Sequence, residues 1–85
     1  MRVTVDPWQE MGARLAGLCE QMGPLGVPVP DHGLVRGTLL DLARHAVDRN
    51  LDGAMVRKAM PVLSLYPNLC RRALTILTPV LDPAA

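Results

Sequence analysis

Three polar residues, Asp41, His45 and Asp48, have the spacing that places side chains on one face of a helix. A carboxylate one turn before a histidine can orient the imidazole ring, and one histidine with two carboxylates could bind a divalent metal ion. Spacings of three and four also occur on any solvated helix face, and no HExxH pattern is present. We therefore interpret this group as a solvated face with local ion pairs, and we predict no metal site and no cofactor.

The nucleophilic residues are not accompanied by the groups that catalysis needs. Ser64 is the only serine, and it lies in a Leu-Ser-Leu tripeptide rather than in a GxSxG elbow. Cys19 and Cys70 form no CxxC pair and fall on apolar positions of predicted helices. Such thiols stay protonated and unreactive, and free thiols are typical of a reducing compartment. The sequence predicts a protein that is not an enzyme.

Basic residues raise the alternative of nucleic-acid binding. The candidates lie on two predicted helices joined by a turn at 50–53, an arrangement that suits a helix-turn-helix: Arg44, Arg49, Arg57 and Lys58. The net charge of only +1 provides a slight electrostatic attraction for phosphates. The second of these helices also lacks the Asn, Gln and Ser side chains that read base edges. A small helix-turn-helix-like nucleic-acid-binding regulator is therefore the alternative function.

The apolar content points instead to a protein partner. Hydrophobic residues make up 49% of the 85 residues, and charged residues 20%. A chain this short cannot bury so much apolar surface, and exposed apolar patches usually mark interfaces. Methionine suits adaptable binding surfaces, and tryptophan suits an interface anchor. The predicted partner-binding residues are Trp8, Met11, Leu15, Met22, Met55 and Met60.

These observations predict a small non-enzymatic interaction module, namely a bacterial-type adaptor, assembly chaperone or inhibitor. It would bind a protein partner through an apolar, methionine-containing helical surface, or associate with a second copy of itself as a homodimer. The chain does not begin with the apolar run of a signal peptide. Its longest uncharged stretch, 59–70, is too short to cross a bilayer. We therefore expect a cytoplasmic protein without membrane contact.

Four to five short helices are predicted to position these residues, in a compact all-α bundle or orthogonal array that forms one domain over 1–85. Asp6 and Pro7 have the residue types of an N-cap and a first helical position, and Gly23 suits the C-terminal cap of that first helix. The second helix is expected to run from a cap at Asp31 to about residue 49. Gly37 inside it costs about 1 kcal/mol against alanine unless a neighbour packs close.

Prolines divide the rest of the chain. The segment 24–30 is predicted to be an extended, proline-rich loop that lies against the helices. Asp52 can cap the third helix, and Pro61 is expected to break or kink it, with a short extension beyond. Pro67 suits the start of a last helix, and Pro79 is expected to end or fray it. Residues 1–5 are predicted to be an extended arm and 82–85 a disordered tail.

Overall fold

The computed structural model describes residues 6–81, and within that range the chain is all helical, with no strand. The α-helices are α1 Pro7–Leu18, α2 His32–Val47, α3 Gly53–Leu63 and α4 Pro67–Leu81, and two 3₁₀ helices span Cys19–Gln21 and Val29–Asp31. The prediction of an all-α bundle or array of short helices is confirmed. The arm predicted at 1–5 and the tail predicted at 82–85 lie outside the described residues.

Two of the three predicted N-caps are confirmed. Asp6 Oδ1 accepts a hydrogen bond from the backbone N–H of Trp8 at 2.9 Å, and Asp52 Oδ1 accepts one from the N–H of Met55 at 3.0 Å. The Asp31 side chain does not cap α2. Its carboxylate instead accepts a hydrogen bond from the Tyr66 hydroxyl at 2.7 Å, which ties the α3–α4 turn to the start of α2.

The connection between α1 and α2 differs from the predicted extended loop. Residues 22–26 form turns, and a 3₁₀ helix precedes α2, because the fixed φ of proline also suits turns and the first positions of helices. The left-handed conformation is taken by Gly26, with φ of 84°, and not by Gly23. The expectation that this apolar segment lies against the helices is confirmed, since Leu25 and Val27 are buried in the core.

Neither internal proline ends its helix at its own position. The short extension predicted beyond Pro61 is confirmed, and α4 extends two residues beyond Pro79 rather than ending there. α3 continues through Pro61 for two residues and ends in its usual hydrogen-bond pattern, in which Ser64 N donates to Met60 O at 2.8 Å. Proline in the last turn removes one N–H and leaves the preceding turns intact. Pro79 lies two residues before the end of α4 and has the same limited effect.

The most extensive helix contact joins α1 to α2, while α4 packs on α1 and α3, and α3 packs on α2. Gly12 allows the close approach of α1 and α2. A Cβ atom added there would lie 3.0 Å from the Ala43 carbonyl oxygen and 2.7 Å from a Val47 methyl carbon. The core between the helices is almost entirely aliphatic, and its largest fully buried side chains are Leu15, Met22, Val35, Leu39, Val56, Leu63, Leu69 and Leu77.

A Schellman motif ends α2. Asn50 N donates to His45 O and Arg49 N donates to Ala46 O, both at 3.0 Å. The left-handed position of this motif, usually glycine, is occupied by Arg49 with φ of 60°. The Arg49 guanidinium donates to Asp6 Oδ2, so the C-terminus of α2 is linked to the N-cap of α1.

Candidate functional site

Three of the residues predicted to bind a partner belong to the core. Met11, Leu15 and Met22 are buried in the hydrophobic cluster, so the prediction that they line a partner surface has to be corrected. They lie on the apolar stripe of the first helical segment, and this stripe faces the other helices because a small domain has few other residues with which to build a core. The remaining three predicted residues, Trp8, Met55 and Met60, are half-buried at the edge of the core.

Three of the four candidate basic residues are engaged within the chain. Arg44 forms an ion pair with Asp41 at 2.8 Å, and Arg49 forms one with Asp6. The hydrogen bond from Arg49, followed by that from the Trp8 N–H, holds the pKa of the Asp6 carboxyl below its ordinary value.

The third engaged residue is Arg57, which is the neighbour of the fourth candidate, Lys58, on α3. Arg57 Nε donates to the Gly53 carbonyl oxygen at 3.3 Å. Lys58 forms no ion pair and no side-chain hydrogen bond with any residue in 6–81. The basic candidates therefore do not form a set of free cations, and Lys58 alone retains its full capacity to bind an external anion.

The Asp41, His45 and Asp48 face has the local contacts of a solvated surface. His45 Nδ1 lies 2.8 Å from Asn50 Oδ1, and His45 Nε2 lies 3.7 Å from Asp41 Oδ1. Across residues 6–81, no three His, Cys, Asp or Glu side chains gather as metal ligands would.

The cysteines take no part in a reactive arrangement within the described chain. Cys19 and Cys70 are free thiols that pack at the edge of the core. Burial raises the pKa of the Cys19 thiol, and the nearby charge of Arg36 offsets this effect only in part. The thiol form of Cys19 is therefore favoured over the nucleophilic thiolate.

A surface groove of about 630 Å³ lies between α2 and α3. Its apolar or small lining residues come from both helices, and they include Gly33, Leu34, Gly37, Met55, Ala59 and Val62. Asp41, His45 and Lys58 supply its ionisable groups. Of the six predicted partner-binding residues, only Met55 lines this groove.

Two glycines make the α2 side of the groove open. Gly33 and Gly37 are one turn apart and therefore share a face of α2. A Cβ atom added at either position would meet no atom within 4 Å beyond its chain neighbours and the nearby backbone of its own helix, whereas the same atom at Gly12 would collide with α2. Within the described chain, no neighbouring element uses the space that these two glycines leave.

Large apolar side chains are exposed near the start of α2. Leu34, which lines the groove, is 57% exposed, and Val29 and Leu65 are 77% and 64% exposed. The hydrogen bond between Asp31 and Tyr66 keeps the segments that carry these three residues at the same end of the molecule. This hydrogen bond also raises the pKa of the Tyr66 phenol. The groove therefore opens beside further exposed apolar surface.

A second apolar surface lies between α1 and α2. It is lined by small residues of α1, such as Ala13 and Ala16, and by Leu40 and Val47 of α2. The last two are 45% and 47% exposed. The wide apolar arc of α2 thus faces its neighbouring helices on one side and solvent on the other.

Sequence reasoning missed Gly33 and Leu34, and it treated Gly37 only as a local cost. The available signal was the pair of glycines four residues apart on a predicted helix. That signal does not tell whether the glycines face a neighbouring helix, as Gly12 does, or open space, because the answer depends on how the helices pack.

Comparison of the chain with protein-family models, with curated proteins and with solved structures finds no match. In residues 6–81, every helix is too short or too polar to traverse a lipid bilayer.

Proposed function

We propose that this protein is a non-enzymatic interaction module that holds a helical segment of a partner protein in the groove between α2 and α3. An adaptor, an assembly chaperone and an inhibitor are all modules of this kind. The observation that carries the proposal is the open space around Gly37 in the middle of α2, next to the exposed side chain of Leu34. A glycine inside a helix costs about 1 kcal/mol relative to alanine, and no packing within the described chain offsets that cost.

The molecule itself shows how a glycine admits another helix. Gly12 lets α2 approach α1 so closely that even a methyl group would collide with Ala43 and Val47. Gly33 and Gly37 offer an equivalent approach on the other side of α2, and no element in 6–81 takes it. A helix seated there would cover Leu34 and Met55, and covering apolar surface of this kind contributes roughly 25 cal/mol per Å².

The shape of the groove favours a polypeptide segment over a small molecule. Sites for small molecules enclose most of the ligand, typically about 70–90% of its surface. This groove lies open between two helices, and its lining residue Leu34 is itself largely exposed. A helix laid into a groove is a common way in which proteins bind apolar segments of their partners.

We further propose a cytoplasmic location, which is supported by the two free cysteines, Cys19 and Cys70. The nucleic-acid alternative has less support. Three of its four candidate basic residues already contact other groups of the chain, and the net charge of the protein is small.

The test compares two glycine-to-leucine variants. Gly37→Leu fills the groove, and it should also raise the free energy of unfolding by about 0.8 kcal/mol, because leucine favours a helix and meets open space. Gly17→Leu makes the same change on α1, outside the groove, where a Cβ atom also meets nothing. Tagged wild-type and variant proteins are used to capture partners from a nuclease-treated lysate of the source cells.

We expect wild type and Gly17→Leu to retain the same protein at comparable yield, and Gly37→Leu to lose it by about tenfold or more, a change of 1.4 kcal/mol. Equal retention by Gly37→Leu, with the fold intact, would refute the groove as the binding site. Loss of every partner upon nuclease treatment would instead favour the nucleic-acid function. Sedimentation of the purified chain at increasing concentration shows whether the partner is a second copy.

A further inference from the structure

The charges around the α2–α3 groove are unequally neutralised. Asp41 Oδ1 accepts a hydrogen bond from Arg44 at 2.8 Å, so the carboxylate in the groove already has a cation beside it. Lys58, the only lysine in the chain, has no anionic partner among residues 6–81. Arg57 lies next to it on α3, again without a carboxylate partner in that range. The α3 side of the groove is therefore positively charged.

We infer that the segment this groove takes is an acidic amphipathic helix, in which a carboxylate beside the apolar stripe pairs with Lys58. This inference rests on the proposed function and adds the chemistry of the partner to it. The apolar stripe would lie over Gly33 and Gly37 and against Leu34 and Met55. The carboxylate would then reach the lysine at the edge of the same groove.

Physical chemistry favours an acidic partner over a basic one. The ammonium group of lysine is a compact charge on a flexible stem, so it can reach a carboxylate without a fixed geometry. A helix that covers Met55 and Val62 also excludes water near Lys58 and thereby strengthens the attraction. A basic helix would meet Lys58 with like charge, and Asp41 would offer little compensation because Arg44 already neutralises it. Charges arranged in this way mainly determine which partner is selected.

The test uses two synthetic, fluorescently labelled peptides of equal length with the same leucine stripe at helical spacing. One has glutamate and the other lysine at the positions that flank the stripe. Their binding to the full chain is measured by fluorescence anisotropy at low ionic strength, where charge interactions are least screened. The proteins compared are wild type, Lys58→Glu, Gly37→Leu and Arg72→Glu, a matched charge reversal on α4 outside the groove.

We expect wild type and Arg72→Glu to bind the acidic peptide about tenfold more tightly than the basic one. Lys58→Glu should reverse this preference, and Gly37→Leu should weaken the binding of both peptides. Equal binding of the two peptides to wild type, or an unchanged preference in Lys58→Glu, would overturn the inference. Even then, the groove would remain the proposed binding site if Gly37→Leu blocks the binding of both peptides. If neither peptide binds wild type, the inference is overturned, and the lysate capture then decides the proposed function separately.

Discussion

Replacing Gly12 by alanine tests the close packing of α1 on α2. The new methyl group would lie 2.7 Å from a Val47 side-chain carbon and 3.0 Å from the Ala43 carbonyl oxygen. Val47 is 47% exposed, so its side chain can rotate away at a cost of roughly 1 kcal/mol. The Ala43 oxygen belongs to the α2 backbone, so relieving that contact requires the helices to separate slightly. Overpacking of this kind typically costs 1–3 kcal/mol.

The helical preference of alanine over glycine returns about 1 kcal/mol of this loss. We therefore expect Gly12→Ala to lower the free energy of unfolding by about 1 kcal/mol. Gly17→Ala, in the same helix but with open space at its Cβ position, should raise it by up to about 1 kcal/mol. The two variants should differ by about 2 kcal/mol, although both make the same chemical change.

Urea denaturation followed by the fluorescence of Trp8 measures both values, because this residue is the only tryptophan and packs against the core. The double variant Gly12→Ala/Val47→Ala removes one of the two clashes. Its free energy of unfolding should therefore fall by less than the sum of the losses in the two single variants. If Gly12→Ala stabilises the protein as much as Gly17→Ala does, the close approach of α1 and α2 at this point is wrong.

Two further predictions concern the contacts that tie helix ends together. The phenol of Tyr66, the only tyrosine, should titrate above the ordinary pKa of about 10, as followed by phenolate absorbance, and Asp31→Asn should move that pKa downward. Because folding raises the pKa of the Tyr66 phenol, its hydrogen bond to Asp31 stabilises the folded state at pH values below the pKa of the unfolded chain. This stabilisation is lost as the pH rises through the pKa of the folded state. An unchanged Tyr66 titration in Asp31→Asn would contradict the hydrogen bond. Arg49→Gly should be more stable than Arg49→Ala by about 1 kcal/mol in the same denaturation assay, because both variants lose the Asp6 contact and only glycine relieves the left-handed backbone. Equal stability of the two variants would show that this backbone position stores no strain.

Local signals predicted the helix starts well. Asp6 and Asp52 cap α1 and α3 because a short carboxylate followed by a helical stretch needs no tertiary contact to fold back on the backbone. Asp31 has the same residue type but forms a bond with Tyr66, which lies 35 residues further along the chain. Pairings over that distance cannot be read from sequence spacing.

The candidate site was harder to predict, for a related reason. Met11 and Leu15 are predicted from the sequence to line a binding surface, but they lie on the buried apolar stripe of α1. One stripe on a short helix cannot both build the core and bind a partner. Gly12 and Gly37 look alike in the sequence. Only the arrangement of the helices shows that the first is filled by a neighbour and the second faces open space.

The helix penalty of Gly37 affects how long a molecule of this protein without a bound partner survives in the cell. A penalty of about 1 kcal/mol multiplies the unfolded fraction roughly fivefold, and unfolded chains are the ones that proteases remove. A ligand present at about a hundredfold its dissociation constant would add about 2.7 kcal/mol to the folded state. If the groove is occupied in the cell, the abundance of this chain would follow that of its ligand, and molecules made in excess would be degraded first.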